Sequence, residues 1–131
     1  MASTTPSPDR LSGLVGAVAR LDEDRAALRA RAAQLDDDLA ALIAASRDSN
    51  ADDEHDPEGQ TIAYERAQLS AMASQAWDHV REIDAAIERV AAGTYGVCEV
   101  CHRSIDAARL GARPTARTCV HHVPDHRGTT S

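Results

Sequence analysis

Phenylalanine and lysine are both absent from this 131-residue sequence, which contains only one Trp and two Tyr. So few large side chains argue against a large globular core, because Ala, the commonest apolar residue here, buries little area. No uninterrupted apolar run approaches the ~20 residues that a membrane-spanning helix needs. These absences favour an elongated, Ala-rich helical protein, since Ala has the highest intrinsic helix propensity.

The three cysteines are too few and odd in number for a disulfide framework. The first residues, Met1 to Pro6, show neither the basic region nor the apolar stretch of a secretion signal. Both observations predict a reducing, cytoplasmic location.

The net charge of −7 is unevenly distributed. Residues 1–92 carry nine Arg and eighteen acidic residues, whereas residues 93–131 carry five Arg and three acidic residues. A protein that binds duplex DNA normally presents a basic face, so the acidic body argues against sequence-specific DNA binding.

Two short motifs carry the metal chemistry: Cys98-Glu-Val-Cys101 and Cys119-Val-His-His122, separated by seventeen residues. Two such knuckles can place four ligands around one tetrahedral zinc ion, here Cys98, Cys101, Cys119 and His122. His121 is the less favoured fourth ligand. Only His122 follows Cys119 by the two-residue spacer that lets both ligands of a knuckle reach one ion. A redox-active cysteine pair and unrelated free thiols are the alternatives, and a redox pair leaves Cys119 unexplained. Four protein ligands leave no open position for water, so we expect one structural zinc and no enzymatic activity.

Apolar residues recur at seven-residue intervals in two long segments, which predicts two coiled-coil helices. The first series comprises Leu14, Leu21, Leu28, Leu35 and Leu42, and the second comprises Ile62, Leu69, Ala76, Ile83 and Val90. If the chain folds back near Asp52, every layer pairs across the two series, as Leu35 does with Leu69. The companion row, three residues earlier in each heptad of the first series, then pairs Val18 with Ala86, Ala32 with Met72 and Arg25 with His79, the last as one polar layer. Met72, Ala73, Val80 and Ile87 broaden the second stripe. An intramolecular antiparallel hairpin satisfies its own seam, so we expect a monomer.

The predicted fold is mainly α, a long antiparallel coiled-coil hairpin followed by a small zinc-ribbon finger. We assign residues 1–8 to a flexible tail, 9–92 to the hairpin with an acidic tip at 48–59, 93–123 to the finger and 124–131 to a second tail. Pro57 after Asp56 predicts the start of the second helix, and Gly93 predicts its end.

The finger resembles that of the DksA/TraR transcription-factor family. Gly93-Thr-Tyr-Gly96 precedes the first knuckle and Arg109-Leu-Gly-Ala-Arg-Pro114 precedes the second, as in that family. The family usually has a fourth cysteine where His122 stands, so this chain is a Cys3His variant. The resemblance implies a bacterial regulator that inserts its coiled-coil tip into the secondary channel of RNA polymerase, with ppGpp as a candidate joint effector.

The tip residues that would act there are the carboxylates Asp52, Asp53, Glu54, Asp56 and Glu58. The family's tip pattern is Asp-x-x-Asp-x-Ala, and an alignment on Asp53 and Asp56 puts Glu58 where Ala is expected. An alignment on Asp56 and Pro57 instead puts Gly59 and Thr61 in place of the second Asp and the Ala. Channel binding is therefore a stronger expectation than any particular regulatory output.

Two functions from other classes stay open. The first is a zinc-stabilised coiled-coil adaptor for another protein, for which Trp77 or the hairpin side would be the contact. The second is nucleic-acid binding by the finger arginines, Arg103, Arg109, Arg113 and Arg117, although aromatic residues for base stacking are lacking. The preferred role of these arginines is to neutralise the thiolate-rich site or to contact an acidic surface of the polymerase.

Overall fold

The computed structural model describes residues 8–48 and 57–122. Helix α1 spans Pro8–Asp48, α2 spans Pro57–Ala92, α3 spans Ala107–Ala112, and a 3-10 turn covers Val120–His122. Two long helices packed together and an absence of strands in the described ranges confirm the mainly α prediction. The predicted tails lie outside these ranges, except that Pro8 begins α1.

The helix ends follow local sequence signals. Helix α2 starts at Pro57 and is followed by Gly93, whose φ of 79° is the left-handed conformation that favours Gly after a helix. Helix α1 begins at Pro8, because Pro fits the first helical turn. Gly13 and Gly16 each lower the stability of this helix by only ~1 kcal/mol relative to Ala. Of the predicted tip at 48–59, Asp48 and residues 57–59 are helical. The residues between them lie outside the described part.

The chain divides into two compact units, and the first to consider comprises Asp24–Arg81. Its core contains four buried residues, with Leu69 and Trp77 packed against them: Ala32, Leu35, Ala73 and Ala76. Further along, Leu39 and Ile43 of α1 share a groove with Ala63 and Ala67 of α2. Residues later in α1 thus pack against residues earlier in α2, so the helices run antiparallel in this unit.

At two layers of this unit, the companion row on α2 is shifted by one residue, to positions that the predicted stripe also included. Met72 is 36% exposed and His79 is exposed, whereas Ala73 and Val80 are only 4% and 3% exposed. The predicted layer of Arg25 with His79 would desolvate two polar groups, which is costly without full hydrogen bonding. The one-residue shift buries Val80 instead and leaves Arg25 half-buried.

Trp77 covers the edge of this core. Its indole Nε1 donates a hydrogen bond of 2.9 Å to Oδ2 of Asp36, while its ring packs against the buried cluster. The polar end of the side chain is thus satisfied within the unit, as is usual for a Trp at the margin of a core.

No helix in the described ranges contains a segment that is both long and apolar enough to cross a membrane.

The core position of Ala73 can be tested by overpacking. Ala73→Leu should destabilise the protein by about 1–3 kcal/mol, because extra methyl groups enter a filled seam. Ala71→Leu is the matched control on the same helix, where the exposed side chain makes the change nearly neutral, within about 0.5 kcal/mol. Thermal or urea unfolding measures both. Equal effects at the two positions would contradict the shifted row.

Candidate metal centre

The second unit joins Met1–Glu23 to Glu82–Ser131, and the finger within it begins where α2 ends. The backbone N–H groups of Thr94 and Tyr95 both donate to the carbonyl of Arg89, at 2.9 and 3.1 Å. Tyr95 is buried, and its hydroxyl donates to the carbonyl of Pro114 at 2.8 Å. The tyrosine therefore packs between the helix end and the finger.

The first knuckle is a tight turn around Cys98. The N–H of Cys98 donates to the carbonyl of Arg103 at 2.8 Å, and the N–H of His102 donates to the carbonyl of Cys98 at 2.9 Å. His102 takes a φ of 61°, which lets the chain reverse directly after Cys101. Both cysteine side chains are thereby turned to one side of the knuckle, where they approach each other.

The second knuckle is the 3-10 turn at Val120–His122. The N–H of His122 donates to the carbonyl of Cys119 at 3.0 Å, which closes the turn. The N–H of Glu99 donates to the carbonyl of Arg117 at 3.0 Å, and the two side chains form an ion pair at 3.6 Å. These contacts connect the two knuckles across the site.

Four side chains meet between the knuckles: Cys98, Cys101, Cys119 and His122, whose candidate ligand atoms all lie within 4.8 Å of one another. The Sγ atoms of Cys101 and Cys119 are 3.9 Å apart. Nδ1 of His122 lies 3.1 Å from Sγ of Cys119 and 3.9 Å from Sγ of Cys98. A tetrahedral zinc with Zn–S bonds of ~2.3 Å separates its sulfurs by ~3.8 Å, so the donor set fits one zinc ion.

The environment of Cys98 favours the thiolate, which is the form that binds metal. Desolvation of this buried side chain raises its pKa. Hydrogen bonds from the backbone N–H groups of Cys101, Cys119 and Val100 outweigh that effect, and the pKa is lowered to about 6. For Cys101, a backbone hydrogen bond from Arg103 lowers the pKa, but desolvation and the hydrogen bonds shared with Cys98 and Cys119 outweigh it, so the pKa is raised. The cluster therefore favours one thiolate first, held by backbone donors.

The remaining predicted site residues lie elsewhere. His121 is exposed and is not part of the cluster. Glu58 is exposed in the first turn of α2. The other four tip carboxylates, Asp52, Asp53, Glu54 and Asp56, lie outside the described residues.

The finger arginines have different surroundings. Arg109 is half-buried and donates from Nε to the carbonyl of Thr118 at 2.7 Å, whereas Arg103, Arg113 and Arg117 are exposed. Arg89, at the end of α2, donates from a terminal nitrogen to the carbonyl of Thr115 at 3.3 Å. Burial, and then the nearby charge of Arg117, lower the Arg89 pKa. Sequence reasoning missed the contacts of Arg89 and Arg109, because a bond to a backbone carbonyl requires no particular partner side chain.

Residues 93–121 match the family described as the prokaryotic dksA/traR C4-type zinc finger. The match ends one residue before His122, the position at which this chain departs from the four-cysteine type.

Two curated proteins are similar to part of the chain. The uncharacterized protein YteA of Bacillus subtilis is 38% identical over 69 residues, which are 53% of this chain and 29% of YteA. An uncharacterized protein of Aquifex aeolicus is 50% identical over 40 residues, which are 30% of this chain and 28% of the relative. The aligned residues are thus less than a third of each relative.

A solved structure extends the similarity beyond the finger. Transcription factor DksA2 from Pseudomonas aeruginosa is 26% identical, with a TM-score of 0.50, and the match covers 79% of each chain. The similarity therefore includes helical residues as well as the finger. The finger of this chain is therefore similar to the dksA/traR C4-type zinc finger, with His122 beside three cysteines, and its fold is similar to that of DksA2.

Proposed function

We propose that Cys98, Cys101, Cys119 and His122 hold one structural zinc ion in this protein. The proposal is supported by the convergence of the four ligand atoms within 4.8 Å and by the match to a zinc-finger family. Three thiolates and one neutral imidazole would leave the bound centre with a net charge of −1. All four positions of a tetrahedral zinc are then filled by protein, so the ion stabilises the finger and has no open position for substrate.

We further propose that the protein is a non-enzymatic, cytoplasmic transcription regulator that binds RNA polymerase and inserts its acidic tip into the secondary channel. The observation that carries this proposal is the segment between the two long helices. Helix α1 ends at Asp48 and α2 begins at Pro57, and the eight residues between them contain four carboxylates and no Arg. A 36-residue helix is ~54 Å long, which is a suitable reach for a protein channel.

Carboxylates at such a tip suit the polymerase active centre, where hard cations and basic side chains are the complementary groups. The acidic charge of residues 1–92 argues against direct sequence-specific DNA binding. In this proposal the protein acts as a monomer, and ppGpp is a candidate joint effector.

The ligand set is tested by removing the histidine. His122→Ala should weaken zinc binding by more than about 100-fold, because outer-shell partners alone typically contribute ~10–100-fold. Competition with a chromophoric chelator measures the affinity. His121→Ala is the matched control one residue away and should bind zinc as tightly as the wild type. A reversed result would make His121 the ligand.

Zinc removal should unfold the finger selectively. Structural zinc contributes an apparent ~10–16 kcal/mol in finger peptides, and this finger has few buried apolar residues of its own. We expect hydrogen exchange in residues 93–122 to become fast in strong chelator, while residues 24–81 keep their protection. Slow exchange throughout the metal-free finger would contradict a structural role for zinc.

Polymerase binding is tested by cross-linking from a photoreactive residue at position 54 to purified RNA polymerase, with mass spectrometric mapping. We expect cross-links at the active-centre end of the secondary channel. A photoreactive residue at position 121, in the finger, is the control and should cross-link outside the channel. Zinc-loaded, helical protein that gives no cross-link from position 54 would favour the adaptor function instead.

The role of the tip carboxylates is separate from binding. Asp53→Ala with Asp56→Ala should leave folding and polymerase affinity within about threefold of the wild type but abolish the effect on RNA synthesis in vitro. The control pair Asp37→Ala with Glu65→Ala removes the same charge from exposed helix positions and should retain the effect. Full activity of the tip variant would refute the carboxylate mechanism.

The contacts of Trp77 do not favour the adaptor alternative. Its ring packs on the core of its own unit and its indole N–H is bonded to Asp36. A binding hot spot at Trp77 would require these contacts within the unit to break.

A further inference from the structure

Arg109 makes a contact that differs from those of the other finger arginines. Its Nε donates a 2.7 Å hydrogen bond to the carbonyl of Thr118, and the side chain is half-buried. Thr118 is only 6% exposed and directly precedes Cys119. The guanidinium thus holds the peptide group from which the third cysteine extends.

This contact is one of two hydrogen bonds by which the earlier part of the finger holds the backbone carbonyls just before the second knuckle. The other joins the N–H of Glu99 to the carbonyl of Arg117 at 3.0 Å. Arg109 belongs to the short helix α3, whose last residues are followed by the segment leading to Cys119. The two bonds fix successive carbonyls, at 117 and 118, and so restrict both the position and the direction of the chain as it enters the metal cluster.

The charge of Arg109 also suits this place. A centre of three thiolates, one neutral imidazole and Zn²⁺ is a net anion, and a guanidinium stays protonated at all physiological pH values. Hydrogen bonds that orient metal ligands from outside the coordination sphere typically change metal affinity by ~10–100-fold. A charged donor that fixes the peptide next to a ligand belongs to this class of interaction.

We propose that Arg109 is a positioning residue for the metal centre: by holding the Thr118 carbonyl, it places Sγ of Cys119 where it meets the other three ligands. This inference rests on the proposed zinc ligand set. It assigns to Arg109 a role that the exposed arginines of the finger do not share.

The test compares zinc affinity in four full-length proteins: wild type, Arg109→Gln, Arg109→Lys and Arg113→Gln. Arg113 is the matched control, since it is an exposed arginine that follows the same short helix. We expect Arg109→Gln to bind zinc ~10–100-fold more weakly than the wild type. Arg109→Lys should also be weakened, because its ammonium lies one atom farther along the side chain than Nε. Arg113→Gln should stay within about threefold of the wild type.

Two further readouts separate positioning from general stability. In strong chelator, wild type and Arg109→Gln should show the same thermal unfolding, because the contact matters only when the finger is folded around metal. With Co²⁺ as the probe, Arg109→Gln should shift the ligand-field absorption bands, whereas Arg113→Gln should leave them unchanged.

The outcomes distinguish this inference from the ligand proposal. Wild-type protein that binds no zinc would overturn both. Tight zinc binding by the wild type and equally tight binding by Arg109→Gln would overturn only the role of Arg109. Wild-type zinc affinity in Arg109→Lys would show that charge alone suffices and would refute the hydrogen-bond mechanism. A loss of stability in Arg109→Gln that is equally large without metal would refute it as well.

Discussion

The finger depends on the convergence of three thiols and one imidazole at a single point. Without a cation, three thiolates so close together repel one another, and their hydrogen bonds to one another raise the pKa of Cys101. The apolar residues buried around them are few: Tyr95, Ile105 and Ala116, with Cys98 itself. A small set of buried side chains cannot hold such a structure, so the free energy of zinc binding becomes the free energy of folding.

Side-chain hydrogen bonds connect the finger with the end of α2 and with α1. Tyr95 and Arg89 donate to two successive carbonyls, those of Pro114 and Thr115. On the other helix, Arg20 donates to the carbonyl of Gly111 at 2.6 Å. All three acceptors are backbone carbonyls, and those of Pro114 and Thr115 lie outside the helices, where no intrahelical hydrogen bond serves them. The same unit therefore satisfies its loop backbone with side chains from the helices, while zinc fixes the knuckles.

The sequence predicted the elements that local patterns determine. Heptad repeats identified both long helices, and the spacing of Cys98, Cys101, Cys119 and His122 identified the metal cluster, because ligands of one knuckle must be close in sequence. The sequence could not decide whether Met72 or Ala73 is buried in the seam, since either residue continues an alternating three-and-four spacing. The burial of Val80 decided it against His79. The contacts of Arg109 were equally hidden, because backbone acceptors exist at every residue and carry no sequence pattern.

The central claim is a closed zinc centre of three sulfurs and one nitrogen. X-ray absorption at the zinc K-edge of the purified protein tests it most directly, because scattering distances separate sulfur from nitrogen ligands. The account predicts three sulfurs at ~2.3 Å, one nitrogen at ~2.0–2.1 Å and no water. Fewer than three sulfurs, or an additional oxygen in the first coordination sphere, would contradict a closed structural site.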